Sequence, residues 1–256
     1  MDVVVWNMAS KVRNWKALEE LDADVALLNE ATPVPEGVGA VSYGSTVGRD
    51  HTRRFSTAVG SSHALLEVSD AKASRYGRDL ELPFESSRPG SWTAAVVSVG
   101  GFGDVTAISL YGLMDEKSDA SIHRSLSELA PAFDDKRYNK QLVLGGDLNT
   151  WTGWKAKSWA LARDQVVFDR IRAYGLVDCL EQTREPGRLV NCPCSFGEEC
   201  AHTRTRVDPR YPHIPYQMDY LFASRELAKR LTNCQALDSP AWRKRSDHFP
   251  IVAMFS

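Results

Sequence analysis

Short apolar runs recur along the chain at the spacing of strands separated by helices. Val3 to Trp6, Val25 to Leu28, Thr93 to Val99, Val105 to Tyr111, Leu142 to Leu144, Tyr216 to Phe222 and Pro250 to Phe255 each read as a strand. Several are apolar at every position rather than at alternate ones, the pattern of central strands covered on both faces. Between them, apolar residues return at intervals of three and four. Trp15, Leu18 and Leu21 form one stripe, Ile122, Leu126, Leu129 and Phe133 a second, and Val166 to Tyr174 predicts a third helix. The order predicts a mixed α/β chain rich in strands. No repeat, Gly/Ser linker or low-complexity tract divides it, so one domain is expected over residues 1–256. The exception is a stretch at about residues 184–215, polar, broken by prolines and holding three of the five cysteines, which reads as an ordered loop insertion.

Composition narrows the class. At 43% hydrophobic and 25% charged, with no apolar run long enough for a membrane span, the chain is that of a water-soluble globular protein. Asp2 stands where a signal peptide would carry a basic residue, so the cytoplasm is the expected compartment, and a monomer the default expectation. A net charge of −2 excludes a global basic field. Nucleic-acid binding would have to rest on local groups: Arg49, Arg53 and Arg54; Arg204, Arg206 and Arg210; or Arg243, Lys244 and Arg245. The competing reading of each is a solvated surface, but the last runs straight into Asp247 and His248.

The candidate chemistry sits just past buried strands, where a sheet fixes a side chain and a loop exposes it. The first run delivers Asn7, the second Asn29-Glu30, and Leu142 to Leu144 delivers Gly145-Gly146-Asp147-Leu148-Asn149. Asp219 lies inside the run Gln217-Met218-Asp219-Tyr220-Leu221, and Ser246-Asp247-His248 precedes the last strand. Singly these are ordinary turn or surface residues. A carboxylate within an apolar strand nevertheless costs several kcal/mol to bury unpaired, and His248 is the obvious partner for Asp219.

In this order, Val5-Trp6-Asn7, Leu28-Asn29-Glu30, Tyr111, Gly146-Asp147-Leu148-Asn149, Asp219-Tyr220 and Ser246-Asp247-His248-Phe249-Pro250 resemble the markers of the endonuclease/exonuclease/phosphatase superfamily, which includes DNase-I-like enzymes and abasic-site endonucleases. The resemblance implies a four-layer α/β/β/α sandwich, two mixed β-sheets packed face to face and flanked by helices. It implies a catalytic Mg²⁺ or Mn²⁺ on Glu30, assisted by Asn7 and Asp247, all hard oxygen donors. Asp147 would orient or deprotonate the attacking water, Asn149 would hold the reacting group, and His248, steered by Asp219, would stabilise the transition-state charge. Tyr111 would contact the phosphate, or else be a half-buried aromatic of its strand. Thr203, Arg204, Arg206 and Arg245 would line the rim and bind substrate. The implied activity is metal-dependent phosphodiester hydrolysis on DNA or RNA; the alternative is a small-molecule or lipid phosphoesterase, sphingomyelinase-like or a phosphatase. A non-catalytic binding domain is disfavoured because no expected site position is replaced. The Trp-Cys-Asp-Arg signature of inositol 5-phosphatases is absent.

Cys192-Pro-Cys194 and Cys200-Ala-His202 place three thiols and an imidazole within eleven residues, enough to close a tetrahedral Zn²⁺ site in a loop with little else to hold it. A Cys194–Cys200 disulfide, or free loop thiols, are the other readings. Cys179 and Cys234 lie in apolar contexts and read as core.

Overall fold

The computed structural model describes residues 1–47, 54–75, 78–114, 119–154, 159–185 and 187–256. The first half of the chain forms β1 (Asp2–Asn7), α1 (Arg13–Glu19), β2 (Val25–Asn29), β3 (Ala40–Val47), β4 (Arg54–Ser61), β5 (Leu65–Glu67), β6 (Asp70–Arg75), β7 (Arg78–Pro83), β8 (Trp92–Val99) and β9 (Gly103–Leu110). The second half forms α2 (Asp119–Asp134), β10 (Leu142–Asp147), α3 (Trp159–Ala173), β11 (Leu176–Asp178), α4 (Cys179–Thr183), β12 (Asp219–Ser224), α5 (Arg225–Ala228), β13 (Leu231–Ala236), α6 (Pro240–Arg245) and β14 (Ile251–Phe255). Two six-stranded sheets result, in the orders β13-β14-β1-β2-β4-β3 and β11-β12-β10-β9-β8-β5, with β6 and β7 as a separate hairpin. Both sheets are mixed: β1 runs parallel to β2 and antiparallel to β14, and β10 runs parallel to β9 and antiparallel to β12.

Alternation along β1 shows how the layers arise. Val3 and Val5 face the second sheet, where they meet a core that includes Ala107, Val143 and Leu221. Val4 and Trp6 face outward and pack in the cluster that holds Trp15 of α1. On the far side, Ile108 and Leu144 pack with Leu126 and Leu129 of α2 and Val167 and Ile171 of α3. Strands buried on both faces must be apolar throughout, which explains their unbroken hydrophobic runs. Full burial of each such side chain contributes roughly 1.5–3 kcal/mol. Helix, sheet, sheet and helix thus form the four-layer sandwich. Among the described residues no helix is long and apolar enough to cross a membrane.

The structure shifts several expected elements. The strand read from Tyr216 begins at Asp219, so this carboxylate opens the strand instead of lying within it. β3 and β4 had no apolar run to reveal them. Four of their serines and threonines are buried against tertiary partners: Ser56 Oγ donates to Ala31 O at 2.6 Å, Ser61 Oγ to Asp24 O at 2.7 Å and Ser42 Oγ to Glu67 Oε1 at 3.0 Å, and Thr57 meets Thr93. Of the first basic group, Arg49, Arg53 and the Arg54 side chain lie outside the described residues.

Candidate active site

At one end of the sandwich the apolar contact between sheets gives way to polar contacts. Ser109 Oγ of β9 donates to Leu28 O at 2.8 Å, and Thr57 and Thr93 place their hydroxyls 2.6 Å apart across the gap. Asn29, fully buried at the end of β2, spans the same gap. Its Nδ2 donates to Ser109 Oγ and to Leu110 O, each at 3.2 Å, while its Oδ1 accepts the backbone N–H of Asp147 at 2.6 Å. This amide fixes the end of β10 against β2. The sequence signal was a polar residue closing a fully apolar strand, and only its neighbour Glu30 was singled out there.

Gly145 and Gly146 let the strands approach closely. A Cβ on Gly146, whose φ is +147°, would lie 1.9 Å from Leu110 O and 2.7 Å from Asn29 Oδ1. The glycine pair therefore delivers Asp147 to the seam between the sheets. Asp147 is buried and accepts from Asn7 Nδ2 at 3.0 Å and from Asn149 N at 2.9 Å. Burial, with the nearby Asp219 and Glu30 adding to it, pushes its carboxyl well above the usual carboxylate range.

Asp147 pairs with Asp219 across the antiparallel β10–β12 register. Two directly opposed carboxylates repel unless a cation lies between them, and His248 supplies it. Nδ1 lies 2.8 Å from Asp219 Oδ2, and Nε2 lies 3.8 Å from Asp147 Oδ2 and 3.9 Å from Asp247 Oδ2. Burial lowers the imidazole's proton affinity, but Asp219 and Asp147 together more than offset this and raise its pKa to about 9. Its backbone is held as well: Trp6 Nε1 donates to His248 O at 3.2 Å, and His248 N donates to Ser246 Oγ at 3.1 Å. Thr205 Oγ1 accepts the N–H groups of Met218 and Asp219 at 2.9 and 3.0 Å, a second supporting contact the sequence did not announce.

Glu30 follows β2 in the left-handed region (φ 47°), as does Asn149 after β10 (φ 48°). Such backbone is uncommon away from glycine and concentrates at functional sites. Tyr111 is fully buried, and its hydroxyl donates to Glu30 Oε1 at 2.6 Å, so it positions that carboxylate. Asn149 Nδ2 donates to Gly112 O at 2.8 Å. Glu30, Asn7, Asp247, Asp147, Asn149, Asp219 and His248 thus all stand at or beside the ends of β1, β2, β10, β12 and β14. Several carboxylates facing one imidazole form a set of oxygen donors with excess negative charge. That composition suits a hard divalent cation.

The rim residues divide. Arg206 is bridged to His248 through the backbone and places Nε 3.4 Å from Asp247 Oδ2. Arg204 lies 3.7 Å from Asp238 and donates to Pro212 O, while Thr203 N donates to Gln217 Oε1 at 2.7 Å. Arg243 also engages Asp238, at 2.5 Å, and Arg245 pairs with Glu20 at 2.9 Å over the Trp242 ring. His123 lies on α2 against Arg170 of α3. Away from the seam, Cys192, Cys194, Cys200 and His202 converge, all buried, and all five cysteines are free thiols. Cys179 and Cys234 lie in the core between the sheets.

No family model and no curated protein matches this sequence. Solved structures do match its fold. An AP endonuclease from Archaeoglobus fulgidus aligns with a TM-score of 0.65 at 18% identity, covering 100% of this chain and 99% of that one. A 3′-5′ exonuclease from Neisseria meningitidis aligns at 0.63 and 16%, covering 100% of both chains. An endonuclease/exonuclease/phosphatase protein from Beutenbergia cavernae aligns at 0.60 and 20%, covering 99% of this chain and 70% of that one. The chain therefore has the two-sheet sandwich fold of the endonuclease/exonuclease/phosphatase structures.

Proposed function

We propose that this protein is a divalent-metal-dependent phosphodiester hydrolase acting on nucleic acid. The observation that carries the reading is the buried Asp219–His248 pair, whose Nε2 is aimed between Asp147 and Asp247 and lies beyond hydrogen-bond reach of both. An imidazolium held by a buried carboxylate and directed into a carboxylate-lined seam is placed to donate to a phosphate oxygen. In that role His248 stabilises the charge that builds on the phosphorus oxygens as the nucleophile attacks. Asp219 fixes the ring orientation and its charged state. Asp147, with its raised proton affinity and three donors orienting its oxygens, receives a proton from the attacking water. Asn149 orients Asp147 through its backbone N–H.

Glu30, with Asn7 and Asp247, would hold Mg²⁺ or Mn²⁺, and the ion would supply charge neutralisation at the phosphate. Tyr111 keeps Glu30 in place for that role. The preference for nucleic acid rests on Arg206 at the rim and on the similar structures, one of which is a Neisseria 3′ phosphatase bound to a product DNA hairpin. A small phosphodiester is the second reading, favoured by the way Asp238, shared by Arg204 and Arg243, and Glu20, paired with Arg245, offset most of the positive charge of those three arginines.

The test is incubation of the purified protein and Mg²⁺ with plasmid, single-stranded DNA, RNA and a generic phosphodiester, with EDTA controls and product sizing. Cleavage of a polynucleotide that EDTA abolishes is expected. Turnover of the small diester alone moves the assignment to the second reading. Full turnover in EDTA removes the metal.

A further inference from the structure

The loop between α4 and β12 is built inside out. Val190 is 78% exposed, Phe196 37% and Tyr211 49%, while Cys192, Cys194, Cys200 and His202 are between 2% and 5% exposed. A loop stabilised by apolar burial would turn the valine and phenylalanine inward. Here three thiols and an imidazole take the innermost places, with Leu189 and Ile214 only partly buried beside them.

Their ligand atoms converge closely enough to share one ion. His202 Nδ1 lies 3.3 Å from Cys192 Sγ and 3.5 Å from Cys200 Sγ, and the four ligand atoms all lie within 4.8 Å of one another. Bonds of about 2.3 Å to sulfur and about 2.1 Å to nitrogen put the corners of a zinc tetrahedron roughly 3.4–3.8 Å apart. An iron–sulfur cluster, whose thiolates bind separate irons, needs wider spacing. The other ring nitrogen, Nε2, lies 2.9 Å from Thr152 Oγ1, the outer contact that orients a metal-bound histidine. Three thiolates around Zn²⁺ leave one net negative charge, and Arg188 donates to the carbonyls of Cys192 and Cys194 at 2.7 and 3.0 Å while Arg184 donates to Cys200 O.

The geometry points to a structural Zn²⁺ centre formed by Cys192, Cys194, Cys200 and His202, separate from the catalytic seam. The centre anchors the loop to the segment that follows Asn149. The Trp151 ring packs 5.9 Å from His202 and 5.0 Å from Tyr216, in one cluster with the three cysteines and Met218. The same loop supplies Thr205 to Asp219 and Arg206 to Asp247. Zinc thereby braces one wall of the proposed site from outside it.

Elemental analysis of unmutated protein, made in zinc-containing medium and purified without chelator, should find about one tightly held zinc per chain, given the affinity of structural sites. Zinc-edge X-ray absorption should show three sulfur ligands and one nitrogen. Cys200→Ser and His202→Ala should each reduce the content below about a tenth of an equivalent; should they not fold, the absorption spectrum of the unmutated protein decides alone. Less than about a tenth of an equivalent in that protein, a shell of oxygen and nitrogen only, or iron in place of zinc would overturn the assignment. None of these readouts depends on phosphoesterase activity, so either reading can fail without the other.

Discussion

His248 shows how much of the proposed chemistry hangs on one side chain and its partner. Water would leave an imidazole near pKa 6.5; burial alone would lower it, and Asp219 with Asp147 raises it to about 9. The ring is thus charged at neutral pH, and its charged fraction falls as pH rises through the folded value. The alkaline limb of kcat/KM should accordingly lie near 9, and Asp219→Asn, which removes the largest favourable partner, should move it down toward about 6.5 or below. A limb that stays in place in that variant would mean Asp219 does not set the charge of His248. Glu30 and Asp147 were legible from sequence because polar residues at the ends of apolar strands stand out, and His248 because Asp219 needs a partner. Asn29 and Thr205 were not: each acts through backbone groups of a distant strand.

At the scale of elements, the decisive feature is the meeting of β2, β9, β10 and β12 at the seam. The β10–β12 register brings Asp147 opposite Asp219, and Gly146 lets β10 pass within contact of Leu110. Gly146→Ala should separate β10 from β9, lowering the unfolding free energy by roughly 3 kcal/mol or more, in the range of overpacked or strained sites. Urea denaturation measures it, and a loss under about 1 kcal/mol would show that the seam tolerates expansion. Most of the strands read from sequence lie in the doubly covered part of the sheets, where both faces must be apolar; β14 instead alternates, with Met254 exposed. β3 and β4, rich in serine and threonine, place Ser42, Ser56, Thr57 and Ser61 against tertiary partners that no local pattern displays, and the hairpin of β6 and β7 carries a run of charges in place of an apolar run. The loop insertion was legible from its prolines and cysteines; its inward-facing thiols required the fold.

Across the whole molecule, charge is arranged rather than abundant. A net charge of −2 gives no general attraction to a polyanion, and most rim arginines are held by Asp238 and Glu20. Arg206 stands closest to the seam. If a polynucleotide crosses it, its binding should weaken steeply between roughly 50 and 200 mM salt, and Arg206→Ala should flatten the log–log slope by about one. Arg243→Ala should change it less, since Asp238 holds that side chain at 2.5 Å, whereas Arg206 has a looser 3.4 Å contact to Asp247, a carboxylate the proposed metal would engage; a larger effect at Arg243 than at Arg206 would reverse this view of the rim. The central claim is that Asp147 and His248 act together in phosphodiester cleavage, and single-turnover rates of Asp147→Ala, His248→Ala and the double variant test it most directly. With native-like folding checked by circular dichroism, each single change should slow cleavage about a hundredfold or more, and the double variant should be far less impaired than the product of the two losses, as for groups serving one transition state. Rates within about threefold of the unmutated protein in either single variant would contradict the account.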